Sequence, residues 1–295
     1  MRRYAAGMVG LGFLLSGCGG NGGGTFNPGV QPTLPVTAVL TDFMFTANAG
    51  STTLSEFAVT NTATGALSGG NNLDVTDGGT PASPVGELLD TGFTGSPGSG
   101  VDQRVGNLYV AVPDGLLSYS YAAVSGSLQA AQTTAVAPAG GGSLTGPLAE
   151  DTSLGLLYAA TTNGIDVYVV SGTSVSRPGV SNAVALANAS SLTIATVNGA
   201  EVLLATSPAG LTVYPINTSH LGTGGVLGTP VTQGTLAVPS MASASSTVGG
   251  SSAGSILVAV AEAPSGGGTN GETFNLTAPA GTPGLGDEHT FTVGT

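Results

Sequence analysis

The chain has 295 residues and a formal charge of −12, yet only 7% of its residues are charged, against about a quarter in an ordinary soluble domain. It has no Lys, and of its four basic residues Arg2 and Arg3 stand at the extreme N-terminus, leaving Arg104 and Arg177 against sixteen acidic residues. Too few cations remain to neutralise phosphates, which excludes a nucleic-acid-binding surface and argues against a polybasic membrane patch.

In chain order the first element is a leader. Arg2 and Arg3 form a short basic region, and residues 5–15 are an unbroken run of Ala, Gly, Met, Val, Leu and Phe. As a helix this run would reach about 16 Å, too short for a hydrocarbon core of roughly 30 Å, but it suits a secretory signal. It closes on Leu15-Ser16-Gly17-Cys18, which resembles the lipobox of bacterial lipoproteins. That resemblance implies cleavage before Cys18, a diacylglycerol thioether on its sulfur and an acylated new amine. Small residues let the peptide lie extended in a peptidase, and sulfur is the strong nucleophile of the segment. Cys18 is the single Cys of the chain, so no intramolecular disulfide competes for it. The expected anchor is lipid rather than a span. Gly19 after the Cys points, by the enterobacterial sorting rule, to the outer membrane of the cell envelope. Residues 1–17 are thus read as signal peptide. Residues 18–35 are read as a Gly/Pro-rich tether, a coil with an end-to-end distance of about 20–25 Å. Residues 36–295 are read as the folded domain.

Within that domain a hairpin recurs. Leu108-Tyr109-Val110-Ala111-Val112-Pro113-Asp114-Gly115, closing at Tyr119, matches Leu157-Tyr158-Ala159-Ala160 through Gly164 to Tyr168, and Leu203-Leu204-Ala205 through Gly210 to Tyr214. Looser copies run over residues 43–57 and 256–274. The copies are about fifty residues apart, the length of a four-stranded propeller blade. Asp114-Gly115 and Asn163-Gly164 carry the turn, with glycines expected at positive φ. No segment after the leader shows helical periodicity, so the chain is read as all-β. A sandwich of short strands is the alternative that turn spacing alone leaves open.

Phe45-Thr46-Ala47-Asn48-Ala49-Gly50, then Thr53-Leu54-Ser55-Glu56-Phe57 and Thr64-Gly65-Ala66-Leu67, resembles one blade of the lactonase-type propellers, also known from Tyr-Val-Thr-Asn surface-layer repeats. The resemblance implies a closed β-propeller of about five to seven four-stranded blades. Closure is expected from Val36, Val39 and Leu40 as an N-terminal strand, beside C-terminal strands that include Phe291-Thr292-Val293.

Catalytic equipment is sparse. Lactone hydrolysis needs a general base and donors for an oxyanion. The candidates are His220, His289, Arg104 and Arg177, of which His220, His289 and Arg177 fall in polar loops. Arg104, just before a blade strand, is the best of a weak set, and no catalytic residue is assigned. Asp74 and Asp77 precede a Gly turn but lack the six to eight oxygens that Ca²⁺ takes, so no metal or cofactor is expected. Gly140-Gly141-Gly142 and Gly266-Gly267-Gly268 lack the Lys-Ser/Thr of a phosphate loop. The sequence therefore reads as a membrane-anchored, extracytoplasmic propeller lipoprotein, a non-enzymatic binding or scaffolding module for a protein or carbohydrate ligand. A lactonase-like hydrolase with a degenerate site is the alternative.

Overall fold

Both faces of most central strands are apolar, and the reason lies in how the sheets stack. The computed structural model describes residues 42–48, 50–61, 66–67, 71–89, 105–122, 127–130, 134–197, 199–233, 244–246, 255–262, 269–277 and 283–293. The leader, Cys18, the tether and Arg104 lie outside them. The first sheet holds β1 (Asp42–Ala47), β2 (Thr53–Asn61), β3 (Ala66–Leu67) and β4 (Asn71–Asp74), and a short hairpin, β5 (Thr76–Asp77) and β6 (Thr80–Pro81), follows it. The second sheet is β7 (Gly86–Leu89), β8 (Val105–Val112), β9 (Gly115–Ala122) and β10 (Ser127–Ala130). The third is β11 (Leu144–Asp151), β12 (Leu156–Thr161), β13 (Gly164–Ser171), β14 (Ser174–Ser176) and β15 (Val184–Ala185). The fourth is β16 (Ser191–Val197), β17 (Ala200–Ser207), β18 (Gly210–Pro215) and β19 (Val231–Gln233). The fifth is β20 (Ala244–Ser246), β21 (Ser255–Glu262), β22 (Thr269–Thr277) and β23 (Gly284–Val293). All are antiparallel; the second, fourth and fifth are meanders in chain order, while in the first β3 and β4 both pair with β2 and in the third β14 and β15 both pair with β13.

Alternation along a strand sends its residues to two different neighbours. On β12, Leu157 and Ala159 pack with Tyr109, Ala111 and Leu116 of the second sheet. Leu156, Tyr158 and Ala160, on the other face, pack with Leu203, Ala205 and Tyr214 of the fourth. Leu204 and Val213 face Val258 and Phe274 of the fifth sheet, while Leu108 and Val110 face Phe45 and Leu54 of the first. The first strands also touch in series: β7 meets β11, β11 meets β16 and β16 meets β20. At the β7–β11 contact a Cβ on Gly86 would lie 2.0 Å from the Gly146 carbonyl oxygen, so only glycine allows the two backbones so close. Stacked four-stranded meanders with their first strands side by side are blades of a β-propeller. The expected all-β propeller class holds.

The outermost row is broken in a repeated way. On β9, the C-terminal half pairs with β10 and Leu116 bridges to Val136. On β13, β14 pairs with Val169–Ser171 residues and β15 with Gly164 and Ile165. β19 pairs with Leu211, Thr212 and Val213 of β18, and Ile216, just past its end, bridges to Leu227. On β2, β3 and β4 divide the same role. The first sheet has three rows among the described residues, with β1 at its edge, whereas the repeat puts β1 in the place of β8 or β12. Residues 33–41, the expected N-terminal strand, lie outside the described residues. Phe291-Thr292-Val293 pairs within its own sheet, opposite Thr269, Asn270 and Gly271.

The hairpin turns differ from expectation in one respect. Val112 pairs with Gly115 and Ser207 with Gly210, so Pro113-Asp114 and Pro208-Ala209 are the turn residues and each glycine opens the next strand. Among the described residues Asn188 is the one non-glycine at positive φ, which removes Asp114 and Asn163 from that role. The three glycines themselves are at positive φ as expected, Gly115 at 157° and Gly164 at 159°, close to extended, and Gly210 at 117°. At the first two the broken outer strand requires glycine as well: a Cβ on Gly164 would sit 1.9 Å from the Val184 oxygen, and one on Gly115 2.5 Å from that of Val136.

Candidate functional site

Several carboxylates in the described residues stand at the joints between sheets. At the first joint, Glu87 on β7 accepts the Ala47 N–H of β1 at 2.8 Å. Burial pushes this carboxyl up and the Ala47 bond pulls it back. Glu56, buried on β2, is pushed up by burial. Asp77 accepts the Ala135 N–H at 2.7 Å, fastening the small β5–β6 hairpin to the second sheet.

At the joint of the second and third sheets, Asp166 on β13 is 1% exposed and its Oδ2 accepts the Gly140 N–H at 3.0 Å. Burial raises its pKa, opposed by backbone N–H bonds and by the positive charge of Arg177. The exposed Arg177 donates from Nε to the Ala137 carbonyl, so the same Gly-rich loop is held at two points. That loop then folds over the β12–β13 turn: Thr162 N–H donates to Ser143 O at 2.9 Å, and Ser143 N–H to Thr162 Oγ1 at 3.2 Å. Thr161 Oγ1 accepts from Gly164 N–H at 2.9 Å, which closes the turn from within. Between loop, turn and β15 lies a cleft of about 200 Å³, lined by Gly140, Thr161, Asn163, Gly164, Ile165, Ala183, Val184 and Ala185. Every lining residue is uncharged, and the Asn163 side chain is exposed at its mouth.

At the joint of the third and fourth sheets, Asp151 is 3% exposed at the end of β11. Its Oδ1 accepts from Ser153 N–H (3.0 Å), Ser153 Oγ–H (2.7 Å) and Leu154 N–H (3.1 Å), an Asx-type turn. Ser153 Oγ also lies 3.0 Å from Oε1 of Glu201 on β17. The Tyr158 phenol is buried beside both acids, and burial above all pushes its pKa well up.

The residues singled out in the sequence do not converge. Arg104 lies outside the described residues, as does Cys18. His220 is exposed on a short 3₁₀ turn, Thr218–His220, capped by Asn217. His289 stands on β23 opposite Thr273, on a strand rather than in the expected loop. Arg177, expected in solvent, is exposed but tied to the Ala137 carbonyl. Asp74 is exposed on β4 while Asp77 is engaged by Ala135, so the two do not form a shared site. Sequence reasoning missed Asp151, Asp166 and Glu201. An acid between two apolar neighbours, Ile165-Asp166-Val167, was the readable signal for one of them. Asp151 and Glu201 are far apart in the chain, and only the stacking of sheets brings them together.

No family model matches this chain, and no curated protein does. Among solved structures, the chain is similar to the fucose-specific lectin from Aleuria aurantia, in a mercury-derivative form, at 17% identity and a TM-score of 0.46. That match covers 84% of this chain and 73% of the lectin. It is also similar to a variant of Aleuria aurantia lectin in complex with alpha-methyl-L-fucoside, at 14% identity and a TM-score of 0.45, covering 84% of this chain and 78% of that one. At such scores the overlay says nothing about function, and the site rests on its own geometry.

Proposed function

We propose that this chain is a lipid-anchored, extracytoplasmic β-propeller lipoprotein that serves as a non-enzymatic binding module, with its ligand site at the cleft beside Asn163. The observation that carries this reading is a division of labour. Glu87, Asp77 and Asp166 accept backbone N–H bonds at the joints, whereas the cleft presents an exposed amide, backbone and small apolar side chains. Such a lining suits a neutral polar ligand of small size, and a carbohydrate is the class that fits it best: hydroxyl groups pair with amides, and C–H faces lie on Ala183, Val184 and Ala185. The anchor follows from Leu15-Ser16-Gly17-Cys18.

Three measurements test the reading. Titration of the soluble domain with a panel of neutral mono- and oligosaccharides should find a binder whose affinity drops about tenfold in Asn163→Ala, a loss of roughly 1.4 kcal/mol. A panel without any binder removes the carbohydrate assignment. Turnover of lactones that Arg104→Ala abolishes would instead favour the hydrolase. Metabolic labelling with a fatty-acid analogue should mark the wild type and not Cys18→Ser; equal labelling of both disproves the anchor.

A further inference from the structure

We propose that Asp151 and Glu201 share one proton across the joint of the third and fourth sheets, which makes that joint a pH-sensitive latch. The argument is a count of protons. Ser153 Oγ lies 2.7 Å from Asp151 Oδ1 and 3.0 Å from Glu201 Oε1. A serine hydroxyl carries one proton and can donate it to one of these acceptors. The remaining oxygen–oxygen contact becomes a full hydrogen bond when Glu201 brings a proton of its own. Asp151 Oδ1 is the natural acceptor of the serine proton, because it already collects the N–H groups of Ser153 and Leu154. Glu201 is then the carboxylic acid, donating toward Ser153 Oγ or Asp151.

The surroundings agree. The groups facing Glu201 are Asp151 at the end of β11, Ser153 in the following turn and the Tyr158 phenol of β12. None of these is a cation. Burial raises the Glu201 carboxyl above its ordinary 4.5 and the neighbouring Asp151 raises it further; a Ser153 hydroxyl turned to Glu201 instead of Asp151 would pull it back. Asp151, Ser153 and Tyr158 belong to the third sheet and Glu201 to the fourth, so the shared proton ties one blade to the next. The folded chain holds that proton more tightly than the unfolded chain does. The stabilisation is therefore complete below the unfolded value of 4.5 and is lost as pH rises through the raised folded value. Above that, two carboxylates flank one hydroxyl and the joint loosens.

Thermal unfolding from about pH 4 to 8 of the wild type, Glu201→Gln and Asp151→Asn is the experiment. The wild-type Tm should fall with rising pH relative to Glu201→Gln, whose amide keeps a donor at every pH. Asp151→Asn should flatten the curve as well, since the like charge is gone. In the wild type alone, the Ile216 amide, which donates to the Glu201 backbone oxygen, should lose exchange protection as the proton leaves. Carbon-13 titration of the glutamate carboxyls in the wild type needs no variant: Glu201 titrating at its ordinary value overturns the proposal. Parallel Tm curves for wild type and Glu201→Gln overturn it too. So does Ca²⁺ that stabilises the wild type but not Asp151→Asn at neutral pH, which would make the pair a cation site.

Discussion

At Gly164 a hydrogen atom stands where any other residue would place a methyl group against the Val184 carbonyl, 1.9 Å away. Gly164→Ala should therefore cost about 2 kcal/mol or more, well beyond the ordinary glycine-to-alanine change, because β15 must leave the ladder or the turn must shift. Urea unfolding measures it, and the same change at the open, exposed Gly179 is the control. The glycine itself was readable from the recurrence of Gly115, Gly164 and Gly210. Its positive φ was legible as well. The tighter constraint was not: it comes from a carbonyl some twenty residues further on, which no local pattern announces.

Hairpins β8–β9, β12–β13 and β17–β18 were legible because an apolar run, a turn and a second apolar run all fall within one window. The outer row was not legible, because β14 and β15 are pieces of three and two residues with no room for a period. Asn182, between those pieces, shows how such a broken row is held. It is 2% exposed, its Oδ1 accepts the Val226 N–H at 3.1 Å, and its Nδ2 donates to the carbonyls of Val180 (3.0 Å) and Leu221 (3.2 Å). Asn182→Ala strands the buried Val226 N–H and should cost about 1–3 kcal/mol. Hydrogen exchange should locate the loss at Val226, with the β12–β13 hairpin still protected.

Across the whole domain, the stacking of sheets in series was visible in the sequence only as strands apolar on both faces. Which sheet each face meets, and which acids meet at the joints, required the fold. Glu56, Glu87 and Asp166 are all raised by burial, so each contributes stability that is full below its unfolded value and declines as pH climbs through its raised one. Acidification also relieves the self-repulsion of a chain carrying −12. Stability should therefore be greatest on the acid side of neutrality, and a Tm that rises steadily from pH 5 to about 8 would contradict this. The ends give a second test at this scale. Deleting residues 290–295 removes the half of β23 that pairs with Thr269, Asn270, Gly271 and Glu272, so protection should fall on β22. Ring closure requires more: β1 and β2 must lose protection with it.

The break in the outer row also bears on how such a chain can change length over generations. Inserted or deleted residues between β14 and β15 leave the pairing of β12 with β13 untouched, because each half of the row finds its own place on β13. Val136 and β10 in the second sheet, and Leu227 and β19 in the fourth, repeat the arrangement with connecting segments of different length. The rim thus works as an expansion gap: copies drift in size there without slipping register at the hub. A foreign peptide spliced into that gap would be displayed at the periphery, borne by a hairpin that does not depend on it.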